Sequence, residues 1–234
     1  MLVTVLIVAH RGAHEPESPG VRENTLRAFA GAAGRGADGV ELDVRRSADG
    51  VLVVVHDAVV EGLGPVADLP AAALPAWLPT LAAALDACRG LALVDVEIKN
   101  SPLEPGFDPG PDLAAAVAAA VMASPVARSA LVTSFHLGSV DAVRAVAPAL
   151  STGWLTAEGY DQGDAVTTAA ARGHTTLAPP DASTTPALVS AAHAAGLRIA
   201  VWTVERADRV RELATWGVDA CITDRPQGAA AARG

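Results

Sequence analysis

Glu41 and Asp43 stand two residues apart in the run Gly39-Val40-Glu41-Leu42-Asp43-Val44-Arg45-Arg46. Alternation along a β-strand puts Val40, Leu42 and Val44 on one face and Glu41, Asp43 and Arg45 on the other. Two carboxylates on one face of an apolar strand repel each other and lose solvation when buried, so positive charge must lie between them. A divalent cation meets that need, and so does structural pairing with Arg11, Arg45 or Arg46. The run continues through Asp49-Gly50 into the apolar residues 51–55 and ends on His56-Asp57. The hairpin thus brings a proton-transfer group towards the acid pair.

Glu97 and Lys99 end a second apolar run with the same spacing of two, and His10-Arg11-Gly12 follow a third. Glu41, Asp43 and Glu97 together form a hard oxygen donor set, suited to one divalent cation, Mg²⁺ or Ca²⁺, rather than zinc. Arg11 and Lys99 beside such an ion would hold an anion, with phosphate the natural choice. His10 and His56 add a general base and a general acid, and the whole set describes phosphodiester cleavage.

Each residue also has a plain structural reading. His10 could be a satisfied strand-end histidine, Arg11 a surface ion pair, and Glu97–Lys99 a simple i,i+2 pair. Glu23-Asn24-Thr25 could be a helix cap, and Trp154 and Trp202 could be core. His14, His136, His174 and His193 read as structural. Lys99 is the only lysine among 17 basic residues. Its survival points either to a position that needs a compact ammonium or to chance.

Short apolar runs alternate with Ala-rich helical stretches along the chain. Strands are predicted at residues 3–9, 39–46 (with a hairpin to 55), 91–98, 130–134, 152–155, 175–177, 198–203 and 219–222. Helices are predicted after Asn24-Thr25 and over 80–88, 112–123, 139–147, 164–172, 185–195 and 207–215. Residues 58–79, punctuated by Pro65, Pro70, Pro75 and Pro79, form a small irregular excursion after the second strand. Eight strands alternating with seven helices in 234 residues predict a single-domain (β/α)₈ TIM barrel, a fold of roughly 250 residues. A doubly wound open sheet is the other α/β solution, but no glycine-rich dinucleotide fingerprint supports it. In a barrel every candidate sits at the carboxyl rim, where Phe135 follows the fourth strand and Trp202 lies in the seventh.

A formal charge of −9 argues against nucleic acid as a partner. The apolar residues 2–9 lack a positive flank and a cleavage site and are too short to span a bilayer, so a soluble, cytoplasmic protein with no stable membrane anchor is expected. Cys88 and Cys221 fit no metal or redox spacing and read as buried thiols.

The sequence resembles the glycerophosphodiester phosphodiesterases over nearly its whole length. The resemblance is carried by His10-Arg11-Gly12, Glu23-Asn24-Thr25, Gly36 through Val44, Asp49-Gly50, His56-Asp57 and Pro79-Thr80-Leu81. It continues in Glu97-Ile98-Lys99, Ser134-Phe135, Trp202-Thr203-Val204, Gly217-Val218-Asp219 and Thr223-Asp224-Arg225-Pro226. It implies a TIM barrel that hydrolyses small glycerophosphodiesters to sn-glycerol 3-phosphate and an alcohol. It also implies a metal on Glu41, Asp43 and Glu97, His10 as proton acceptor and His56 as donor. Arg11 and Lys99 would hold the phosphate, with Phe135 and Trp202 as further substrate contacts. The glycerol hydroxyl next to the phosphate would attack first, an intramolecular step that supplies up to roughly 7–11 kcal/mol when well aligned.

The sequence departs from the family pattern in places. The segment between Gly12 and Glu23 is longer than usual, Arg22 replaces a proline, residues 58–64 replace a Leu-x-Arg-x-Thr run, and Glu205 replaces an asparagine. These changes bear on the pocket over the leaving alcohol. A lysophospholipid or sphingolipid headgroup phosphodiesterase is an alternative, though no membrane-facing apolar rim is evident. A catalytically silent phosphodiester-binding barrel is another, and the intact histidine pair and third carboxylate speak against it.

Overall fold

A computed structural model describes residues 4–233. From the amino end, β1 (Leu6–Ala9) leads to α1 (Leu26–Gly31) and back to β2 (Gly39–Arg46), which turns into the antiparallel β3 (Leu52–Val54). A short hairpin of β4 (Val59–Val60) and β5 (Gly64–Pro65) and two 3-10 turns fill the excursion before α2 (Leu81–Ala87). Alternation is then regular through β6 (Leu93–Ile98), α3 (Asp112–Met122), β7 (Ala130–Ser134), α4 (Leu137–Val146), β8 (Ser151–Leu155) and α5 (Gln162–Ala171). The chain ends through β9 (Thr176–Ala178), α6 (Pro186–Ala194), β10 (Arg198–Val201), α7 (Ala207–Trp216), β11 (Ala220–Thr223) and α8 (Pro226–Ala232).

Eight parallel strands pair in the ring order β1, β2, β6, β7, β8, β9, β10, β11, and β11 pairs again with β1. The ring is a (β/α)₈ barrel, closed where an open sheet would leave two edges. β3 lies outside it, paired with the carboxyl half of β2 through Val44↔Val54 and Arg46↔Leu52. The strand predicted at residues 3–9 is described only from residue 4, and Val3 lies outside the described residues. The stretch expected to be irregular contains a hairpin, and α8, which has no apolar period of its own, was not foreseen. No helix among the described residues is long and apolar enough to cross a membrane.

Alternation divides the side chains as the strands require. Val40, Leu42 and Val44 join Val94, Val96 and Ile98 under the helices, and Glu41 and Asp43 of β2 point into the barrel with Asp95 and Glu97 of β6. Thr25, Thr80, Asp161 and Thr185 cap the helices that follow them, each accepting a first-turn N–H. Both cysteines are free and buried, and burial pushes each thiol pKa up to about 12.

Gly39, at the start of the strand that carries Glu41, lies opposite Leu93 of β6. A Cβ there would come within 2.4 Å of the Leu93 carbonyl oxygen. Gly39→Ala should therefore cost about 1–3 kcal/mol through overpacking, read as a lower urea midpoint at unchanged m-value. A wild-type midpoint would show that this close approach does not constrain the barrel.

Candidate functional site

The barrel interior is chemically divided. Val8, Leu155, Ala178, Ala200, Ala220 and Ile222 form an apolar wall from β1 and β8–β11. β2 and β6 supply Glu41, Asp43, Asp95 and Glu97, all buried. At the carboxyl rim the two walls enclose a cavity of about 240 Å³ lined by His10, Arg11, Glu41, His56, Asp95, Glu97, Lys99, Phe135 and Trp202. A larger cavity, about 440 Å³, opens at the opposite end. Its lining of small, apolar and hydroxyl side chains with Arg128, Arg198 and Asp219 has no cluster of acids or histidines, so the chemistry lies at the carboxyl rim.

Asp43 lies beside Glu97 and Glu41 beside Asp95 in the β2–β6 register. Glu41, Asp43 and Glu97 each present a carboxylate oxygen, and these oxygens lie within 4.8 Å of one another. Burial, then repulsion from Asp43, Glu97 and Asp95, drives the Glu41 pKa well above the carboxylate range. Burial also raises Glu97, against the opposing pull of Lys99. Burial acts on Asp43 as well, but Lys99, His56, Arg11 and Asn24 outweigh it and the Asp43 pKa falls. Burial takes Asp95 up to about 7, although Thr133 Oγ1 donates to it at 2.7 Å. Glu41 Oε1 is buried with no hydrogen-bond partner, an oxygen that a cation would satisfy.

Two cations enter this cluster. Lys99 Nζ lies 2.8 Å from Glu97 Oε1 and 3.6 Å from Asp43 Oδ1, a wedge that a planar guanidinium could not reproduce. Arg11 donates its backbone N–H to Glu41 Oε2 at 2.9 Å and Nη1–H to Glu23 Oε1 at 2.9 Å. Its Nε stands 3.5 Å from Asp43 Oδ2. Arg45 and Arg46, the other candidates for pairing with the acids, go elsewhere. Arg45 donates to the His56 carbonyl and to Glu104, and Arg46 to Asp108.

The turn after β1 is tightly specified. Arg11 (φ 54°), Gly12 (φ 83°) and Asn24 (φ 53°) all occupy the left-handed region, where a non-glycine residue costs roughly 1–2 kcal/mol. A Cβ on Gly12 would meet Ala28 at 2.8 Å. The Asn24 N–H donates to the Arg11 carbonyl at 2.9 Å, joining the strained pair. Asn24 Nδ2–H donates to Asp43 Oδ2 at 2.7 Å, and Asn24 Oδ1 accepts the Asp43 N–H at 3.3 Å. Thr25 is the helix cap, while Asn24 is a site residue.

His10 and His56 flank the acids. His10 Nε2 lies 3.9 Å from Glu41 Oε2, and its Nδ1 is 2.7 Å from Asp224 Oδ1. His56 Nδ1 is 2.7 Å from Asp57 Oδ1. A carboxylate only accepts, so both rings carry a proton on Nδ1 and leave Nε2 for chemistry. Phe135 packs edge-on to Trp202 at 5.3 Å and lies 5.9 Å from Lys99 Nζ. Trp154 is buried among the helices, donating to the Phe135 carbonyl. His136, His174 and His193 have partners away from the cavity in Ser139, Thr152 and Asp219.

Sequence reasoning missed Asp224, Asp95 and the Asn24 contacts as parts of the site. Asp95 carried a usable signal, since it shares the inward face with Glu97. Asp224 carried a weaker one, standing just past the last strand in a family-like motif.

Residues 10–228 match the Glycerophosphoryl diester phosphodiesterase family. The glycerophosphodiester phosphodiesterase of Caldanaerobacter subterraneus subsp. tengcongensis is 31% identical over 244 residues, covering 95% of each chain. The crystal structure of an Agrobacterium tumefaciens glycerophosphodiester phosphodiesterase superposes with a TM-score of 0.78 at 30% identity, covering 97% of this chain and 99% of that one. An Oleispira antarctica phosphodiesterase, solved in complex with the product sn-glycerol-3-phosphate, shares the fold with a TM-score of 0.78 at 22% identity, covering 97% and 96%.

Removing the Asn24 side chain strips a buried carboxylate of a donor and its backbone N–H of an acceptor. Asn24→Ala should lose about 1–3 kcal/mol of folding stability in urea titrations. A loss under about 0.5 kcal/mol, the range of an ordinary surface change, would remove Asn24 from the support of Asp43.

Proposed function

The chain belongs to the glycerophosphoryl diester phosphodiesterase family, and on that premise we propose that it hydrolyses small glycerophosphodiesters to sn-glycerol 3-phosphate and an alcohol. Membership makes it a phosphoric diester hydrolase by class. The reading treats residues 1–234 as one barrel domain. The observation that carries it is the set of three buried carboxylates with oxygens within 4.8 Å, Glu41 keeping one oxygen without a hydrogen-bond partner, beside two cations and between two histidines.

Glu41, Asp43 and Glu97 would hold one divalent cation, Mg²⁺ or Ca²⁺, since the donors are all hard oxygens and their repulsion needs positive charge. An ion held there would neutralise charge on the phosphate oxygens and acidify the hydroxyl beside them. Arg11 and Lys99 bind and orient the phosphate. The His10 Nε2 lone pair accepts the proton of the glycerol hydroxyl as its oxygen bonds to phosphorus. His56 enters as the imidazolium, keeping Nδ1–H on Asp57, and its Nε2–H passes a proton to the alcohol oxygen as the phosphorus–oxygen bond to it breaks. The roles then reverse: His56 deprotonates a water that opens the cyclic phosphate, and His10 returns its proton to the glycerol oxygen. Phe135 and Trp202 bound the cavity opposite the acids and exclude water from the glycerol carbons.

Purified protein should release sn-glycerol 3-phosphate from glycerophosphocholine with Mg²⁺ or Ca²⁺, and stop after EDTA. His10→Ala and His56→Ala should each lower kcat by roughly 10²–10⁴-fold, the usual contribution of general acid–base groups, with circular dichroism unchanged. Activity that survives thorough metal removal, or a normal rate in either mutant, would overturn the corresponding assignment.

Binding to the folded state alone raises stability by mass action, about 2.7 kcal/mol at a hundredfold excess over Kd. Mg²⁺ or Ca²⁺ should therefore raise the melting temperature of EDTA-treated protein by several degrees, and Glu97→Gln should abolish that shift. Equal shifts in wild type and mutant would place the ion elsewhere.

A further inference from the structure

Asp224 and His14 have no place in the chemistry above, yet Asp224 lies against His10 and His14 lies against Asp224. Asp224 Oδ1 is 2.7 Å from His10 Nδ1 and 3.5 Å from His14 Nε2. Among the described residues no other side chain hydrogen-bonds to the Asp224 carboxylate; its backbone N–H donates to Glu205 Oε1 at 3.3 Å. The carboxylate is about one-third exposed, at 34%, so packing alone does not fix its rotamer. His14 is more enclosed, and its Nε2 is buried without a well-formed hydrogen bond.

His14 comes from the long segment between Gly12 and Glu23, and that segment is built. The Ser18 N–H donates to the His14 carbonyl at 3.0 Å and the Glu15 N–H to the Val21 carbonyl at 3.2 Å. The Gly20 N–H donates to Glu15 Oε1 at 2.7 Å. Glu17 accepts the N–H groups of Gln227 and Gly228 at 2.7 and 3.2 Å, in the first turn of the helix that begins two residues after Asp224. The loop therefore grips the chain on the far side of Asp224 while placing an imidazole against its carboxylate.

We propose that Asp224 is the positioning residue of His10, and that His14 holds Asp224 in place, giving a His14–Asp224–His10 relay in which only His10 touches substrate. The proposal rests on the reading of His10 as the proton acceptor. Asp224 keeps the proton of His10 on Nδ1, so the bare Nε2 faces the cavity, and it stabilises the imidazolium formed when Nε2 takes a proton. His14 prevents the carboxylate from turning out to solvent. The electrostatics agree. Burial disfavours ionised Asp224, but the His10 hydrogen bond and the nearby His14 ring outweigh it and keep its pKa far below the usual range. The Asp224 carboxylate in turn raises the His14 pKa against the effect of burial.

The test combines kinetics on glycerophosphocholine with nitrogen-15 spectra of the histidine rings. In Asp224→Ala, kcat should fall at least about tenfold, part of the roughly 10²–10⁴ that a general base contributes, with KM within about threefold. The His10 ring should change from the Nδ1–H form to a mixture of tautomers. Asp224→Glu, whose carboxylate can only accept from Nδ1–H, should keep the tautomer and recover part of the rate. His14→Ala should lower kcat severalfold, and His14→Gln, whose amide can donate to Asp224, should recover it. Unchanged His10 resonances and kcat in Asp224→Ala would overturn the positioning role. A wild-type rate in His14→Ala, or no recovery in His14→Gln, would remove His14 from the relay. The ring spectra need no turnover. If wild type fails to cleave the diester, the functional reading fails while the spectra still decide the relay.

Discussion

Like charges in a dry interior repel far more strongly than in water, because their interaction scales inversely with the local dielectric constant. Glu41, Asp43, Asp95 and Glu97 share one half of this barrel, all nearly inaccessible, with Lys99 and Arg11 reaching into them. The sheet fixes their spacing through the Glu41↔Asp95 and Asp43↔Glu97 register, so the acids cannot move apart without breaking β2 from β6. Protons or cations must absorb the repulsion. Raised pKa values at Glu41, Glu97 and Asp95 express the first outcome. A bound cation would supply the second, and a group held at this price in self-repulsion is more easily explained by ligand binding than by folding.

The surrounding structure answers that constraint. Arg11 and Asn24 accept left-handed backbone conformations, and each directs a backbone or side-chain donor onto a carboxylate of the cluster. Strain of this kind persists only where neighbouring contacts over-determine it, and the Asn24–Arg11 backbone bond ties the two positions together. Across the cavity the wall is apolar, which keeps the dielectric low and strengthens every charge–charge contact opposite. The polar and apolar halves are thus parts of one arrangement.

Much of this was legible from local pattern. The period of two places Glu41 with Asp43 and Glu97 with Lys99, and alternating elements imply a (β/α)₈ barrel or a doubly wound sheet. What was hidden depended on contacts between distant residues. Asn24 sits in a Glu-Asn-Thr run that a helix cap explains fully, and only the fold shows that Thr25 caps while Asn24 binds Asp43. Arg45 shares a face with the acids by parity, but it lies beyond the barrel rim and turns to the His56 carbonyl. The Ala-rich α8 has too little contrast between its faces to show a helical period. Asp224 is 214 residues from the ring it contacts, a separation that no local window spans.

That last separation also decides between the two α/β architectures the sequence allowed. His10 follows β1 and Asp224 follows β11, and the two strands pair along four residues from Leu6↔Ala220 to Ala9↔Thr223. In an open doubly wound sheet the first strand lies in the interior and the last at an edge, so their carboxyl ends would stand several strands apart. Neighbouring strands are about 4.8 Å apart, so ends three strands apart would stand roughly 14 Å from each other, beyond the reach of the 2.7 Å hydrogen bond between these two side chains. Closing the ring brings the ends together without any loop having to reach. The same closure sets β1 beside β2 through Ala9↔Val40, which carries His10 to Glu41 on its other side. One histidine is therefore fixed by both strands that flank it, and a barrel is the simplest arrangement of this chain that lets the strand before His10 touch both.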